Sequence, residues 1–377
     1  MDSAEHRRLV PSPGRDYTAR RGPELSRMAK RVLFIGNFDG HRRQGRYYNT
    51  DHKLRNGFIR AGHQVVAIDE RATVRWRSPV GIKPIGQRRL RRDAVETARH
   101  HRPHLVVLGN TDLLGEPGYA ALREALPHAR FASYFTDAFT HPNRNLERLA
   151  RRATYMDAVF ATTADARVMA AVAPRRNVFW YLPNPVDEAV EVGRADARPR
   201  DELGFDGIFL GTDVDGRRAQ LDTLRAALPA DYRFDVGGRR FADERMTGPD
   251  FLERLADAAV CPQLPRDDSA PEVMPYLYTS ARIAQTMGQG VLALTPAAAR
   301  FEDLYEDGIV SYGSRAELAA QMLALRDDDA RRRRIAGRGR EIAHSRTNGT
   351  RVARYIVDVV LTHSLSESYE WPTTPLV

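Results

Sequence analysis

Short apolar runs alternate with amphipathic stretches along most of this chain, and that rhythm limits the folds open to it more than any other feature. "RVLFIG" (31–36), "QVVAID" (64–69), "HLVVLGN" (104–110), "ARFASYFTD" (129–137), "DAVFATT" (157–163) and "NVFWYLPNPVD" (177–187) read as strands. They lack polar/apolar alternation, so both of their faces need cover. Helical stretches supply it. "DHKLRNGFIRAG" puts Leu54, Phe58 and Ile59 on one face and stops at Gly62, while "RRDAVETARHHRP" stops at Pro103. A second series runs through "FDGIFLGT" (205–212), "YRFDVGG" (232–238), "AVCPQLP", "VLALT" and "IVSYG". Strand–helix alternation of this kind gives parallel, doubly wound sheets. The expected class is α/β with two Rossmann-like domains whose sheets face each other across a cleft.

The expected boundaries are a disordered tail over 1–29, a first domain over 30–188, a linker over 189–202 and a second domain over 203–348. A helix over 349–363 then crosses back, and a polar tail closes the chain over 364–377. Met28, followed by a basic pair and a strand, looks like a natural start, so residues before it are expected to be dispensable. They contain no apolar stretch of the kind a secretory signal needs. No apolar run approaches the length of a bilayer span. A cytoplasmic protein is expected, with peripheral contact at the inner membrane face as a further expectation. A single cysteine, Cys261, excludes an internal disulfide and a cysteine-based zinc site.

The net charge is +9, carried almost wholly by arginine, since Lys30, Lys53 and Lys83 are the only lysines. Arginine is spread along the chain and alanine is abundant, which fits arginine-rich codon usage better than a nucleic-acid footprint. No nucleic-acid-binding motif is spelled out. The expected partners are small anions such as nucleotides and phosphates, and no nucleic acid.

"YTSARIAQTMGQGVLALT" (278–295), followed by "FEDLYEDGIVSYGSRAELAAQMLAL", resembles the donor-binding domain of GT-B glycosyltransferases, most nearly the bacterial spore-maturation-protein-like ones. "RRRRIAGRGREIAHSRT" resembles their closing helices. "SYFTDA", "YMDAVFATT" and "LPNPVDEA" resemble elements of their first domain and hinge. The likeness runs over about residues 30–363. It implies a nucleotide-diphosphate sugar bound by the second domain and a glycan, lipid or small-molecule acceptor bound by the first. It also implies no cofactor, the nucleotide sugar being a substrate. The family's glutamate is Gln285 here. Glutamine can still accept from a ribose hydroxyl but loses the charge-assisted part of that bond. A non-catalytic nucleotide-sugar or glycan-binding relative, or a sugar-nucleotide epimerase, therefore stays open beside the transferase.

The same likeness nominates residues. Thr279 and Ser280 open the helix that faces the diphosphate, Arg282 is a guanidinium clamp, and Gln285 faces the ribose. The alternative is an ordinary N-cap with a solvated arginine. Arg217 and Arg218 follow the glycine turn of "FLGTDVDGRR", and Gly237, Gly238 and Arg240 lie in "VGGRR", where bare backbone can approach a base or sugar. In the first half Asp137, at a strand's carboxyl end, is the expected base toward the acceptor hydroxyl, with a capping role as the alternative. His41, beside Asp39, is expected near the reacting sugar. "GNFDGHRRQG" lacks the G-x-G-x-x-G fingerprint, so no dinucleotide is expected. "DVD" (213–215) spells Asp-x-Asp outside a metal-binding context, so no metal is expected.

Overall fold

Two parallel sheets carry the chain. The first holds β1 (Arg31–Gly36), β2 (Gln64–Asp69), β3 (Leu105–Leu108), β4 (Arg130–Phe135), β5 (Ala158–Ala161) and β6 (Phe179–Tyr181) in the order β2-β1-β3-β4-β5-β6. The second holds β7 (Phe205–Leu210), β8 (Phe234–Gly237), β9 (Ala258–Pro262), β10 (Leu292–Pro296) and β11 (Val310–Tyr312) in the order β11-β10-β9-β7-β8. The structure is a computed structural model that describes residues 28–38, 45–78, 82–109, 111–136, 144–170, 172–176, 178–213, 216–241, 246–264, 274–278 and 280–377.

Each order reverses direction once. In the first sheet Leu33 of β1 pairs with Val66 of β2 on one side and Val106 of β3 on the other. In the second, β7 lies between β8 and β9. Those reversals create crevices at the strands' carboxyl ends, where ligands of open α/β sheets bind.

Val32, Leu33, Phe34 and Ile35 are all wholly buried, alternate residues facing opposite helical layers. Each such side chain contributes about 1.5–3 kcal/mol. Strand β2 differs: it lies at the sheet's edge and is only half-buried. Helix Glu70–Trp76, absent from the sequence reading, starts because the Asp69 side chain accepts from the amides of Arg71 (3.0 Å) and Ala72 (2.9 Å). The next helix begins at Lys83 rather than Arg91, with Pro84 in its first turn, where the missing N–H costs nothing.

The segment read as a linker is packed. Ala195 is buried, and Arg332 donates to its carbonyl (2.8 Å), to that of Arg198 (2.7 Å) and to Asp329 (2.7 Å). Helix Gly349–Val357 packs on helix Thr50–Arg60, so the last helix of the chain lies against the first half. One apolar cluster then joins Phe34 and Phe58 to Met287, Tyr305 and Tyr355. The closing segment, read as a polar tail, is also built in. Tyr369 and Trp371 meet the Tyr355 ring edge-to-face, and the amide of Leu376 donates to the Phe179 carbonyl of edge strand β6 (2.8 Å). No helix of the described residues is long and apolar enough to cross a membrane.

Candidate functional site

Arg282 occupies the crevice of the second sheet. Its Nη1 donates to the Leu210 carbonyl that ends β7 (3.3 Å), and its Nε donates to Gln263 Oε1 just past β9 (3.3 Å). The guanidinium lies 4.3 Å from the centre of the Phe209 ring. The side chain is buried, and no described carboxylate pairs with it. Burial pulls its pKa down, and the titratable groups that act on it are Cys261, Tyr312 and Tyr278. The result is a desolvated cation at a strand-end crevice, held by neutral acceptors and an aromatic face.

Glycines bring backbone up to this point. Gly238, after β8, has φ +111°, and a Cβ there would stand 2.1 Å from the Gly211 carbonyl oxygen. Only glycine tolerates both the angle and the approach. Arg217 is buried, donates to the Thr212 carbonyl (2.9 Å) and lies over the opposite reach of Phe209 (5.4 Å). Arg218 is half exposed, pairs with Asp213 (2.8 Å) and donates to the Arg240 carbonyl (2.6 Å). Arg240 itself holds φ +71° and sits exposed beside Gly238. The structure thus brings Arg217, Arg218, Gly237, Gly238, Arg240 and Arg282 to one end of one sheet.

The helix behind them departs from expectation. It spans Arg282–Gly288 and its N-cap is Ala281, with no capping side chain. Ser280 does not cap it, and the Ser280 hydroxyl is buried without a partner. Arg282 is the first helical residue, and its guanidinium turns back onto β7 instead of standing free as a fork. All seven residues of this helix are buried, Gln285 included, and the Gln285 side chain has no hydrogen bond among the described residues. Thr279, Asp137, His41 and Asp39 lie outside the described residues.

The first sheet has a matching crevice, and in it a residue that the sequence reading did not single out. Asp51, in the first turn of helix Thr50–Arg60, is buried between the ends of β1 and β3. Its Oδ2 accepts from the Asn37 amide (2.5 Å). Its carboxylate fills the space where side chains on Gly36 and Gly109 would go, at 2.9 and 2.5 Å from their ideal Cβ positions. In sequence Asp51 looks like any acidic residue of a helix's first turn, so nothing marks it.

Between the sheets, Lys53 and Glu191 form a buried ion pair, and the Lys53 ammonium also donates to the Pro185 carbonyl (3.2 Å). Burial raises the Glu191 carboxyl while Lys53 opposes the shift. Asp187 accepts from Arg60 (2.7 Å) and Asn56 (2.8 Å). Tyr48 stacks on Phe251 with centroids 4.7 Å apart. These contacts fasten the first half's leading helix to the segment that enters the second half.

Comparison with known proteins agrees with this geometry. Residues 217–358 match the family described as glycosyl transferase-like. No curated protein sequence matches the chain. An alpha-glucosyltransferase solved with UDP-glucose and DNA containing an abasic site is similar in fold. The TM-score is 0.59 at 12% identity, over 88% of this chain and 99% of that one. HepE of Anabaena, solved with UDP and glucose, gives a TM-score of 0.58 at 14% identity over the same shares. The chain has the GT-B fold of glycosyltransferases.

One expectation is corrected here. Nucleic acid was excluded as a partner because no motif for it appears in the sequence. The alpha-glucosyltransferases of this fold were solved with DNA, one with an abasic site and one with an HMU base. Nucleic acid is thus a partner of neighbours with this fold, and its exclusion on sequence motifs does not stand.

Proposed function

We propose that the protein transfers a glycosyl group from a nucleotide-diphosphate sugar to an acceptor hydroxyl, without a metal ion. The donor binds at the carboxyl end of the second sheet, and the acceptor binds at that of the first. The observation that carries this reading is Arg282, a buried guanidinium at the β7/β9 crevice with no carboxylate paired to it among the described residues. A diphosphate leaving group gains negative charge as the glycosidic bond breaks, and a desolvated, pre-placed cation stabilises that charge more in the transition state than in the ground state. Arg217 and Arg218 supply further positive charge, and Gly238 lets backbone amides approach. The match of residues 217–358 to a glycosyl transferase-like family falls on this half. UDP-glucose in fold neighbours makes a uridine nucleotide the first donor to try.

A second reading, a nucleotide-sugar binder without transferase activity, is favoured by Gln285, which stands without a charge where the resemblance calls for one. A thermal-shift panel of UDP-, GDP-, dTDP- and ADP-sugars, followed by a transfer assay with and without EDTA, separates the readings. Stabilisation by one nucleotide with EDTA-insensitive turnover supports the transferase. Stabilisation without turnover supports the binder. Silence across the panel removes both, and loss of turnover in EDTA removes metal independence.

A further inference from the structure

A cavity of about 230 Å³ opens at the carboxyl ends of β3 and β4, between helices Gly115–Ala125 and Arg144–Ala153. Arg148, Arg151 and Arg152 line it, a spacing that puts all three on one helical face. Two of them have counter-ions on the rim: Arg148 faces Asp112 (3.8 Å) and Arg151 faces Glu116 (3.3 Å).

Arg152 does not. It is only 7% exposed, and its Nη1 donates to the Gly109 carbonyl (3.1 Å) and to Thr111 Oγ1 (3.2 Å). Its Nε is buried with no partner, and no described carboxylate lies within ion-pairing distance. Tyr134 is part of the same cavity wall, but its hydroxyl is buried against Gly109, on the side of the Asp51 carboxylate. Leaving a buried guanidinium unpaired is expensive, and a structural arginine is normally satisfied. Arg332 shows the difference: it is fully buried, paired with Asp329 and bonded to two carbonyls. At Arg152 the missing group is an anion.

The cavity's size limits what that anion can be. It is smaller than the roughly 300–1,000 Å³ of pockets that enclose drug-sized ligands, so it suits one small group rather than a nucleotide. It also stands on the first sheet, away from the crevice that holds Arg282.

We propose that this cavity binds the oxyanion group, a phosphate or a carboxylate, of an acidic acceptor, with Arg152 as its main cation and Arg148 and Arg151 as further donors at the rim. Only the word acceptor rests on the glycosyltransferase reading; the anion site stands on its own residues.

The test uses the full chain at matched ionic strength. Thermal shift and calorimetry are run with inorganic phosphate, acetate and a short single-stranded oligonucleotide. Phosphate or acetate should stabilise the wild type, and whichever acts names the group. Arg152→Gln should weaken that binding by at least ~10-fold, the size of a lost charge-assisted bond. Arg152 also holds two strand-end groups, so Arg148→Gln is the second variant. Arg148 stands half exposed at the cavity's rim, so the change should leave the melting temperature in place and should still weaken anion binding. Arg282→Ala should retain it. The proposal is overturned if neither anion binds, if both first-sheet variants bind as wild type does, if UDP competes for the anion, or if only the oligonucleotide binds. Failure of the nucleotide-sugar panel alone would instead strike the transferase reading and leave the anion site intact.

Discussion

Arg282→Ala is the substitution that tests the donor site most directly, and its two effects have opposite signs. The free protein loses a cation–π contact at 4.3 Å, which is worth about 2 kcal/mol when desolvated, and two long bonds to neutral acceptors. It also sheds a buried charge with no counter-ion, whose desolvation costs several kcal/mol. Unliganded stability should therefore change little. Donor binding should not be spared. A charge-assisted bond to a diphosphate contributes about 1.5–3 kcal/mol, so nucleotide-sugar affinity should fall about 10- to 150-fold. At saturating ligand the thermal shift would shrink by about 2 °C for a chain of this size. Titration calorimetry with the nucleotide sugar that stabilises the wild type supplies the number, and circular dichroism confirms the fold. A folded Arg282→Ala protein that binds the donor as tightly as wild type would refute the assignment. If it binds tightly but turns over slowly, the arginine acts only in the transition state.

Gly238→Ala should destabilise by more than about 2 kcal/mol, because φ +111° and a Cβ 2.1 Å from the Gly211 oxygen cannot both be relieved; urea denaturation measures it. Lys53→Met leaves Glu191 buried and unpaired and should cost about 3–5 kcal/mol, whereas Lys53→Met with Glu191→Met should recover most of that loss in the same assay. Stability should also carry a pH signature from Glu70, whose carboxyl burial raises to about 7 although it accepts from the amides of Asp112 and Leu113. Its folded pKa lies above the ordinary carboxylate value, so the native state holds more protons between about pH 4.5 and 7, and stability falls by up to about 3 kcal/mol as pH rises through that window. His63, pushed down to about 4 by burial, contributes the opposite slope up to its ordinary value of 6.5, so the readout is the wild-type curve minus that of Glu70→Gln. A difference curve that is flat from pH 4.5 to 7 counts against the Glu70 shift.

The sheets were legible because a strand buried on both faces must be apolar at every position, and such runs stand out without any partner. The gathering of glycines and arginines at one end of the second sheet was legible for a related reason: residues that follow strands land at carboxyl ends by topology alone. What sequence could not show was pairing across distance. Leu210 and Arg282 are 72 positions apart, so the arginine read as a free clamp when its guanidinium is anchored on β7. Phe209 and Gln263 lie inside "FDGIFLGT" and "AVCPQLP", stretches that read simply as strands. Arg152, inside "LARRA", is indistinguishable in sequence from the solvated Arg151 beside it. The helix start was misplaced because Thr279 and Ser280 are good capping residues, yet the first helical turn forms at Arg282 behind Ala281. The tail read as polar because its two anchors, Tyr369 and Trp371, are spaced for an aromatic cluster rather than for a helix or strand.

The buried cations tie these observations to function. Lys53 and Arg332 each have a carboxylate, Glu191 and Asp329, and both join segments far apart in the chain. Arg152 and Arg282 have none among the described residues, and each sits at the carboxyl end of a different sheet, donating to carbonyls at strand ends. A fold gains no stability from a desolvated cation without a counter-ion, since apolar residues of similar volume would serve it better. The charge is kept at a standing cost that only an arriving anion can offset. Two such positions, one per sheet, are what a reaction between an anionic donor and an acidic acceptor needs: each substrate is held by its own charge, and the sugar between them is left free to move. Replacing both arginines should therefore leave the stability of the empty protein little changed while removing both binding events. A double variant that is less stable than wild type by the sum of two ordinary core losses would show instead that the two guanidiniums are structural.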